Sequence, residues 1–379
     1  MKKRITWVGL DVHQEEIVVA MLEGSSRRLT EFRVGGDARG VRKLVRRLSE
    51  LGDSGTVECA YEAGPCGYTL QRRLEAEGIA CAVVAPSLTP VKPGDRIKTD
   101  RRDAKKLAEH LCAGLLTAVY APSEEQEAVR DLCRCREDAR EDLMRGRHRL
   151  SKMLLRRGLV YRAGSNWTHK HRRWLLALSW EPGAEQTVFG DYLQAIEHLE
   201  ERLRGLDAAL QAQAERDPYR EPVGWLRCLR GFDTVNAMTV VSELHDIVRF
   251  GSARKLMAYL GLVPSEHSSG GSRRQGGITK SGNRHVRRAL VNAAWNYRHR
   301  PGVGAGLRKR REGQPAPILA LADRAQQRLH RRFVHLALYR GKPSQKVVVA
   351  VARELVGFVW ATLVAYPMIQ EQETTHSTP

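Results

Sequence analysis

The chain has 379 residues, and its 63 Lys and Arg against 43 Asp and Glu give a formal net charge of +20 at pH 7. The excess positive charges repel one another in the folded state, and a polyanionic partner relieves this repulsion, so nucleic acid is the first candidate. A ribosome-associated protein or a protein with a merely basic surface is the alternative. The seven cysteines are odd in number and lack zinc-ribbon spacing, which argues against disulfides and zinc and predicts reduced cytosolic thiols.

The first part of the chain alternates between strand and helix patterns. Apolar or alternating runs predict three antiparallel strands, then a helix, a strand, a helix, a strand and a further helix. The predicted bounds are Ile5–Leu10, Glu16–Leu22 and Leu29–Val34 for the first strands, then Ala38–Leu51, Thr56–Tyr61, Tyr68–Ala76 and Ile79–Ala85. The order β-β-β-α-β-α-β-α is that of a ribonuclease-H-like mixed sheet flanked by helices.

Two long helical patterns follow, from Ser123 to about Gly158 and over Val188–Glu215. In the second, leucine and isoleucine recur at three- and four-residue steps, which is typical of a helix that packs along one face. The pair predicts an antiparallel coiled-coil arm that serves oligomerisation or grips nucleic acid. Packing of both helices on a core is the alternative.

The remaining chain predicts an all-helical part, so the fold class is α/β plus α. A helical unit over Leu226–Pro264 precedes a Ser-, Gly- and Arg-rich loop, and helices follow over Pro317–Tyr339 and Ser344–Tyr366. The apolar run from Val347 has the length of a membrane span, but it contains Arg353 and Glu354, which favours a buried helix. The predicted domains are 1–122, 123–220 and 221–369, with a disordered tail over 370–379.

Four acidic residues stand at predicted strand and helix ends. Asp11 ends the first strand, Glu62 ends the fourth, and Asp100 and Asp103 share one face at the start of a helix. Carboxylates gathered in this way form the hard-oxygen site that Mg²⁺ prefers, with Mn²⁺ as the alternative, and such ions stabilise the oxygens of a reacting phosphodiester. Each acid alone also fits a turn or a helix cap, but together they predict a site that handles metal and phosphate.

The segment Gly261–Arg288 is rich in serine, glycine and arginine. Small residues let a backbone approach a phosphate closely, and a serine hydroxyl among cations is placed for covalent attack on a phosphodiester. A flexible loop that only grips the backbone is the alternative. The side chains that could hold phosphate here are Arg273, Arg274, Lys280, Arg284, Arg287 and Arg288.

Two further stretches are densely basic, and in the second of them cationic and aromatic side chains are interleaved, a mixture suited to RNA because it offers both phosphate contacts and base stacking. The residues predicted to bind nucleic acid there are Arg145, Arg147, Arg149, Lys152, Arg156, Arg157, Trp167, Arg172 and Arg173. A single basic run is more often a solvated helix face. Several runs and the large net charge favour nucleic-acid binding that weakens steeply with salt.

Four segments, in this order, resemble the insertion-sequence one-ten family of transposases, which are bridge-RNA-guided recombinases. The segments are Gly9–His13, Tyr61–Gly64, Lys98–Ala104 and the serine-rich stretch Gly261–Arg288. The resemblance covers nearly the whole chain. It identifies the family's catalytic, metal-binding carboxylates with Asp11, Glu62, Asp100 and Asp103. The family's catalytic serine follows a Gly-Leu-x-Pro element and precedes a glycine, which puts it on Ser269, with Ser268 as the alternative.

The same resemblance implies further properties. The fold would be a RuvC-like domain, a coiled-coil linker and a helical transposase domain that carries the serine. A structured non-coding guide RNA would pair with donor and target DNA, and the protein would act as a tetramer of two dimers. Its composite sites would join the carboxylates of one protomer to the serine of another. The protein would act in the cytoplasm, at the bacterial nucleoid, without a membrane partner.

Two other functions stay open at the level of the residues. A metal-dependent endonuclease of the Holliday-junction type would use the carboxylates alone and the serine loop only for DNA binding. A non-catalytic nucleic-acid-binding protein is the second alternative. Clustered carboxylates speak against it, because they would repel phosphates unless a cation lay between them.

Overall fold

The computed structural model describes residues 5–24, 28–52, 55–90, 99–266, 268–269, 272 and 274–376, with side chains up to residue 364. The chain divides into two compact units, Met1–Ser123 and Glu124–Pro379. The first is a mixed α/β unit and the second is almost entirely helical.

The first unit contains one five-stranded sheet in the order β3-β2-β1-β4-β5. Its elements are β1 (Ile5–Val12), β2 (Glu16–Glu23), β3 (Leu29–Gly35), α1 (Ala38–Gly52), β4 (Thr56–Glu62), α2 (Thr69–Ala76), β5 (Ala80–Val84) and α3 (Asp100–Cys112). The first three strands pair antiparallel, whereas β1–β4 and β4–β5 pair parallel. The predicted mixed sheet and its element order are confirmed.

Successive side chains of β1 point alternately to the two faces of this sheet. Val8 and Leu10 are buried in a core that also contains Leu44 of α1 and Leu74 of α2. Gly9 points to the opposite face, towards α3, because successive side chains of a strand point to opposite sides. A Cβ atom on Gly9 would lie 2.0 Å from the carbonyl oxygen of Ala104. Glycine is therefore what lets α3 pack directly on β1.

The second unit is built on helices, with one short hairpin inserted between them. Its elements are α4 (Glu124–Arg156), α5 (His169–Leu176), α6 (Ala184–Ala214), α7 (Arg220–Arg227), α8 (Thr234–Leu244), α9 (Ala253–Tyr259), β6 (Pro264–Glu266), β7 (Gln275–Ile278), α10 (Arg284–Ala294), α11 (Ala305–Arg311), α12 (Ala316–Val334) and α13 (Ser344–His376). A short π-helical turn, His335–Tyr339, follows α12. Most apolar side chains of α7 to α13 form one core.

The long helices α4 and α6 pack against each other and run antiparallel. Three ion pairs show this direction, because the residue number falls on α6 as it rises along α4 and at Arg157, the residue that follows α4. The pairs are Arg136–Asp207 at 2.7 Å, Arg147–Glu200 at 2.8 Å and Arg157–Glu185 at 2.7 Å. Val129 of α4 and Leu210 of α6 are buried in the core of α7 to α13. The helix pair thus belongs to the second compact unit, and residue 220, where the sequence predicted a domain boundary, lies inside that unit.

Among the described residues, Ser344–Val364 of α13 is long and apolar enough to cross a membrane by length and composition. Half of the apolar stretch is buried inside the protein, and α13 packs against α7, α9, α10 and α12. It therefore has the surroundings of a core helix. The helix continues to His376. Residues 370–376 are thus helical where the sequence predicted a disordered tail, and residues 377–379 lie outside the described residues.

Candidate active site

The four predicted carboxylates line one cavity in the first unit. Asp11 and Glu62 lie at the ends of the adjacent parallel strands β1 and β4, and parallel strands bring equivalent ends to one edge of the sheet. Asp100 and Asp103 lie in the first turn of α3, which begins beside that edge because Gly9 lets the helix pack closely on β1. The cavity has a volume of about 280 Å³ and is also lined by His13, Thr89 and Lys106.

Three of the lining side chains approach one another closely. The Nε2 atom of His13 lies 3.2 Å from Oδ2 of Asp11 and 3.8 Å from Oδ1 of Asp100. One ligand atom from each of these three residues lies within 4.8 Å of the others, a spacing that one metal ion could bridge. Glu62 and Asp103 line the same cavity outside this tight group.

The electrostatics of the cavity favour a bound cation. Burial raises the pKa of Asp11, the imidazole of His13 counteracts this, and the charges of Asp100 and Asp103 raise the pKa further. Carboxylates that repel one another in a partly desolvated site are stabilised by a divalent ion between them. Oxygen donors with one imidazole fit Mg²⁺ or Mn²⁺ by chemical class.

A larger cavity, of about 1050 Å³, shares Asp11, His13 and Glu62 with the first one. Arg42 and Arg73 also line it. Guanidinium groups beside carboxylates are suited to binding a phosphodiester strand. They could neutralise the charge of the phosphates, while a metal ion held by the carboxylates would bind the reacting phosphate group. The two cavities thus adjoin each other at Asp11, His13 and Glu62.

Ser268 and Ser269 lie on the hairpin of β6 and β7 in the second unit. Backbone hydrogen bonds between Ser269 and Ser272, at 3.3 and 3.2 Å, pair the two arms beyond the strands. The Ser268 hydroxyl donates to Oε1 of Glu266 at 2.9 Å and accepts from the backbone N–H of Arg274 at 3.3 Å. Both serines are exposed. The hairpin therefore engages the Ser268 hydroxyl through both of these hydrogen bonds.

The base of the hairpin is held tightly. Gly282 has a φ of 69°, and a Cβ atom there would lie 1.8 Å from the carbonyl oxygen of Tyr259. Nη1 of Arg287 donates to the carbonyl oxygens of Leu260 and Ser281, both at 2.9 Å. Arg287, which the sequence predicted as a phosphate contact, thus fixes the two arms of the hairpin to each other.

The sequence of this chain matches known transposases over most of its length. Residues 8–157 match the DEDD transposase model of IS110 elements, and residues 225–305 match the Transposase IS116/IS110/IS902 family. The protein named "Putative transposase y4qE" of Sinorhizobium fredii is 40% identical over 94% of this chain and 88% of its own length. The transposase for insertion sequence element IS1533 of Leptospira borgpetersenii is 36% identical over 90% of this chain and 99% of its own length.

The chain belongs to the IS110 family of transposases. It is therefore a DNA-recombining enzyme, and DNA is its partner. All four carboxylates of the cavity lie within the region that matches the DEDD model, whose match indicates use of a divalent metal. Ser269 lies within the other matched region of this IS110-family transposase.

The predicted nucleic-acid contacts of the transposase fall into two groups. Exposed side chains that make no ion pair within the described part of the chain are Arg149, Lys152, Arg156, Arg173, Arg274, Lys280 and Arg284. Ion pairs inside the protein engage Arg145 with Asp142, Arg147 and Arg172 with Glu200, Arg157 with Glu185, and Arg288 with Glu137 and Glu141. Trp167 packs under the guanidinium of Arg147, and Arg273 lies outside the described residues. The first group is the one free to meet phosphate.

His13 lines the carboxylate cavity close to Asp11 and Asp100, and it is not among the residues predicted from the sequence. It follows Asp11 by two positions in the segment Gly9–His13, which had been singled out for Asp11 alone. Residues two apart on an extended chain point to the same side. The two-residue spacing of Asp11 and His13 at a strand end therefore indicates, from the sequence alone, that the two side chains can lie close together.

We expect His13→Ala to weaken the binding of Mn²⁺ to the transposase by about 10–100-fold, because His13 either ligates the ion or orients Asp11 through their hydrogen bond. Isothermal titration with MnCl₂ measures this without any DNA. The matched control is His148→Ala, since His148 is exposed on α4. Equal Mn²⁺ affinities for His13→Ala and the control would contradict a role of His13 at the metal.

Proposed function

We propose that this transposase cleaves, exchanges and rejoins DNA strands through the Ser269 hydroxyl and a Mg²⁺ site of four carboxylates, under the guidance of a structured non-coding RNA. The observation that carries the proposal is the convergence of Asp11, Glu62, Asp100 and Asp103 on one cavity beside a larger groove. We assign the first unit to the RuvC-like class and the helices α4 and α6 to a coiled-coil arm.

The proposed step conserves phosphodiester bonds. The Oγ atom of Ser269 forms a bond to phosphorus while the bond from phosphorus to one DNA oxygen breaks. The serine proton leaves to a base and the departing oxygen gains a proton. Mg²⁺ in the cavity would balance the charge that develops on the phosphate oxygens. Rejoining reverses the exchange at the covalent phosphoserine, so it needs no external energy source.

The proposal also includes assembly. The carboxylates belong to the first unit and Ser269 to the second. We propose that the carboxylates of one protomer and the serine of another form a composite site in a dimer of dimers. The exposed cations of α4 and of the serine hairpin would hold the RNA and the DNA by charge-assisted contacts with phosphate. The site of action would be the cytoplasm, at the nucleoid.

The experiment is a search for a covalent protein–DNA adduct. Purified protein is incubated with Mg²⁺, the RNA encoded beside its gene, and donor and target DNA, and the products are run on a denaturing gel. We expect an adduct with the wild-type protein, and none without the RNA. Cleavage that depends on Mg²⁺ without an adduct would instead indicate the junction-type endonuclease. DNA binding without cleavage would indicate a non-catalytic protein.

We expect Ser269→Ala to abolish this adduct, because no Oγ atom remains at that position to form the bond to phosphorus. Ser268→Ala is the matched control, since it removes a neighbouring hydroxyl that the hairpin already engages through Glu266. It should retain an adduct within about tenfold of wild type. The reverse result, with Ser268→Ala inactive and Ser269→Ala active, would move the nucleophile to Ser268.

A further inference from the structure

A polar cavity in the helical unit lies outside both the carboxylate site and the serine hairpin. It has a volume of about 420 Å³ and is formed by the start of α8, the end of α10 and the segment that leads into α11. This volume falls in the range of about 300–1,000 Å³ that is common for small-ligand pockets. The cavity is large enough for one nucleotide but not for a duplex.

The charge around the cavity is mainly positive. Arg230 and Arg310 line it, and Asp233 is its one acidic lining residue. Asp233 is already engaged, because its Oδ1 accepts the backbone N–H of Asn236 at 2.8 Å. Burial and the neighbouring guanidinium of Arg227 lower the pKa of Arg310, whereas the charge of Asp233 raises it. A guanidinium that is partly buried beside other guanidinium groups is stabilised by an anion, and the phosphate groups of DNA are the anions that a transposase binds.

Three asparagines also line the cavity, namely Asn236, Asn292 and Asn296. Nδ2 of Asn296 donates to the carbonyl oxygen of Ala293 at 3.3 Å, which leaves its Oδ1 as an acceptor. A site for phosphate alone needs only donors. Side-chain amides offer both donors and acceptors, which are the groups that pair with the edge of a nucleobase.

We propose that this cavity binds one unpaired nucleotide of the nucleic acid on which the enzyme acts. Its phosphate lies against Arg230 and Arg310, and the edge of its base faces the three asparagines. A base stacked in a duplex cannot enter, so the site selects a nucleotide that is unpaired or flipped out of the helix. The proposal requires neither the serine chemistry nor the metal, so it stands or falls independently of the proposed reaction.

The test measures binding to duplexes that differ by one nucleotide. The probe is a DNA duplex with a single unpaired 2-aminopurine at its centre, compared with the fully paired duplex, and an RNA pair of the same design. We expect the bulged duplex to bind about tenfold more tightly than the paired one, with a change in 2-aminopurine fluorescence on binding. Preference in the DNA pair alone, in the RNA pair alone, or in both would show which nucleic acid supplies the nucleotide.

Asn292→Asp replaces an amide donor by a negative charge with almost no change in shape, on a side chain that is exposed at the end of α10. We expect it to remove the preference for the bulged duplex. The control is Asn166→Asp, which makes the same charge change at an exposed position before α5. Equal affinity of wild-type protein for bulged and paired duplexes of both kinds would overturn the proposal. So would equal effects of Asn292→Asp and Asn166→Asp.

Discussion

Asp11→Asn is expected to lower metal-dependent DNA cleavage by this transposase about 1,000-fold. Asp11 lies within hydrogen-bonding distance of His13 and lines both the carboxylate cavity and the larger cavity that adjoins it. With His13 and Asp100 it forms the group whose possible ligand atoms lie closest together. Asparagine keeps the shape of the side chain but removes the charge that would hold the cation. Because the substitution also removes a negative charge from the larger cavity, which Arg42 and Arg73 line, DNA binding should persist.

The measurement is a single-turnover cleavage assay at saturating protein, with DNA affinity determined separately in the same buffer with Mg²⁺. Glu75→Gln is the control, since Glu75 is an exposed acid on α2 that lines neither cavity. It should cleave at the wild-type rate. If Asp11→Asn retained more than about a tenth of wild-type cleavage, the carboxylate cavity would not be the catalytic metal site.

Arg134→Met should destabilise the helical unit strongly, by about 3–5 kcal/mol in the free energy of unfolding. Arg134 on α4 donates two hydrogen bonds to the carboxylate of Glu243 on α8, at 2.7 and 3.0 Å. The Glu243 side chain is only 2% exposed, so the substitution leaves a buried carboxylate without its cation. Asn283, which caps α10 after the serine hairpin, also donates to Glu243 at 2.7 Å.

Urea unfolding followed by tryptophan fluorescence measures this cost. The double variant Arg134→Met/Glu243→Gln should recover much of the loss, because no buried charge is left unpaired. Arg220→Met is the matched control, since the Arg220–Asp217 pair is mostly exposed and should contribute less than about 1 kcal/mol. A cost of Arg134→Met no larger than that of the control would refute the argument from burial.

The same pair predicts how stability depends on pH. Burial raises the pKa of Glu243, but its hydrogen bonds and ion pair with Arg134 outweigh burial, so the pKa lies below its ordinary value. A depressed carboxyl pKa contributes stability that is present above about pH 4 and is lost as the pH falls through the folded-state value. In Arg134→Met the loss of stability at acidic pH should disappear, or stability should instead rise as the pH falls.

Much of the first unit was predictable from the sequence. Strand periodicity, the helical spacing of Ala38–Leu51 and the glycine- and proline-rich turns are local signals, and the predicted element order matches the observed one. The positions of Asp11, Glu62, Asp100 and Asp103 at strand and helix ends were sufficient to predict that they meet. Parallel pairing of β1 and β4 follows from that element order, and it brings the first two acids together.

The division of the helical part was less predictable. Amphipathic spacing in α4 and α6 predicted two long helices that pair, but the same spacing also suits helices that pack on a core. The structure contains both arrangements. The far parts of the two helices pack on each other, while Val129, Cys133, Leu210 and Ala214 join the core of α7 to α13. Periodicity shows that a helix has an apolar face but not which element covers it.

The sequence by itself determined the charge of this protein and its element order, and it predicted four carboxylates that line one cavity, because composition, backbone periodicity and strand ends are local properties. Only the tertiary structure decided which arginine and lysine side chains form ion pairs inside the protein and which remain exposed. Arg288, for example, pairs with Glu137 and Glu141, about 150 positions away, whereas Arg284 is exposed. The tertiary structure also showed that Gly9 lets α3 pack directly on β1 and that His13 lies close to Asp11 and Asp100. Such contacts join residues distant in the chain, and no local pattern encodes them.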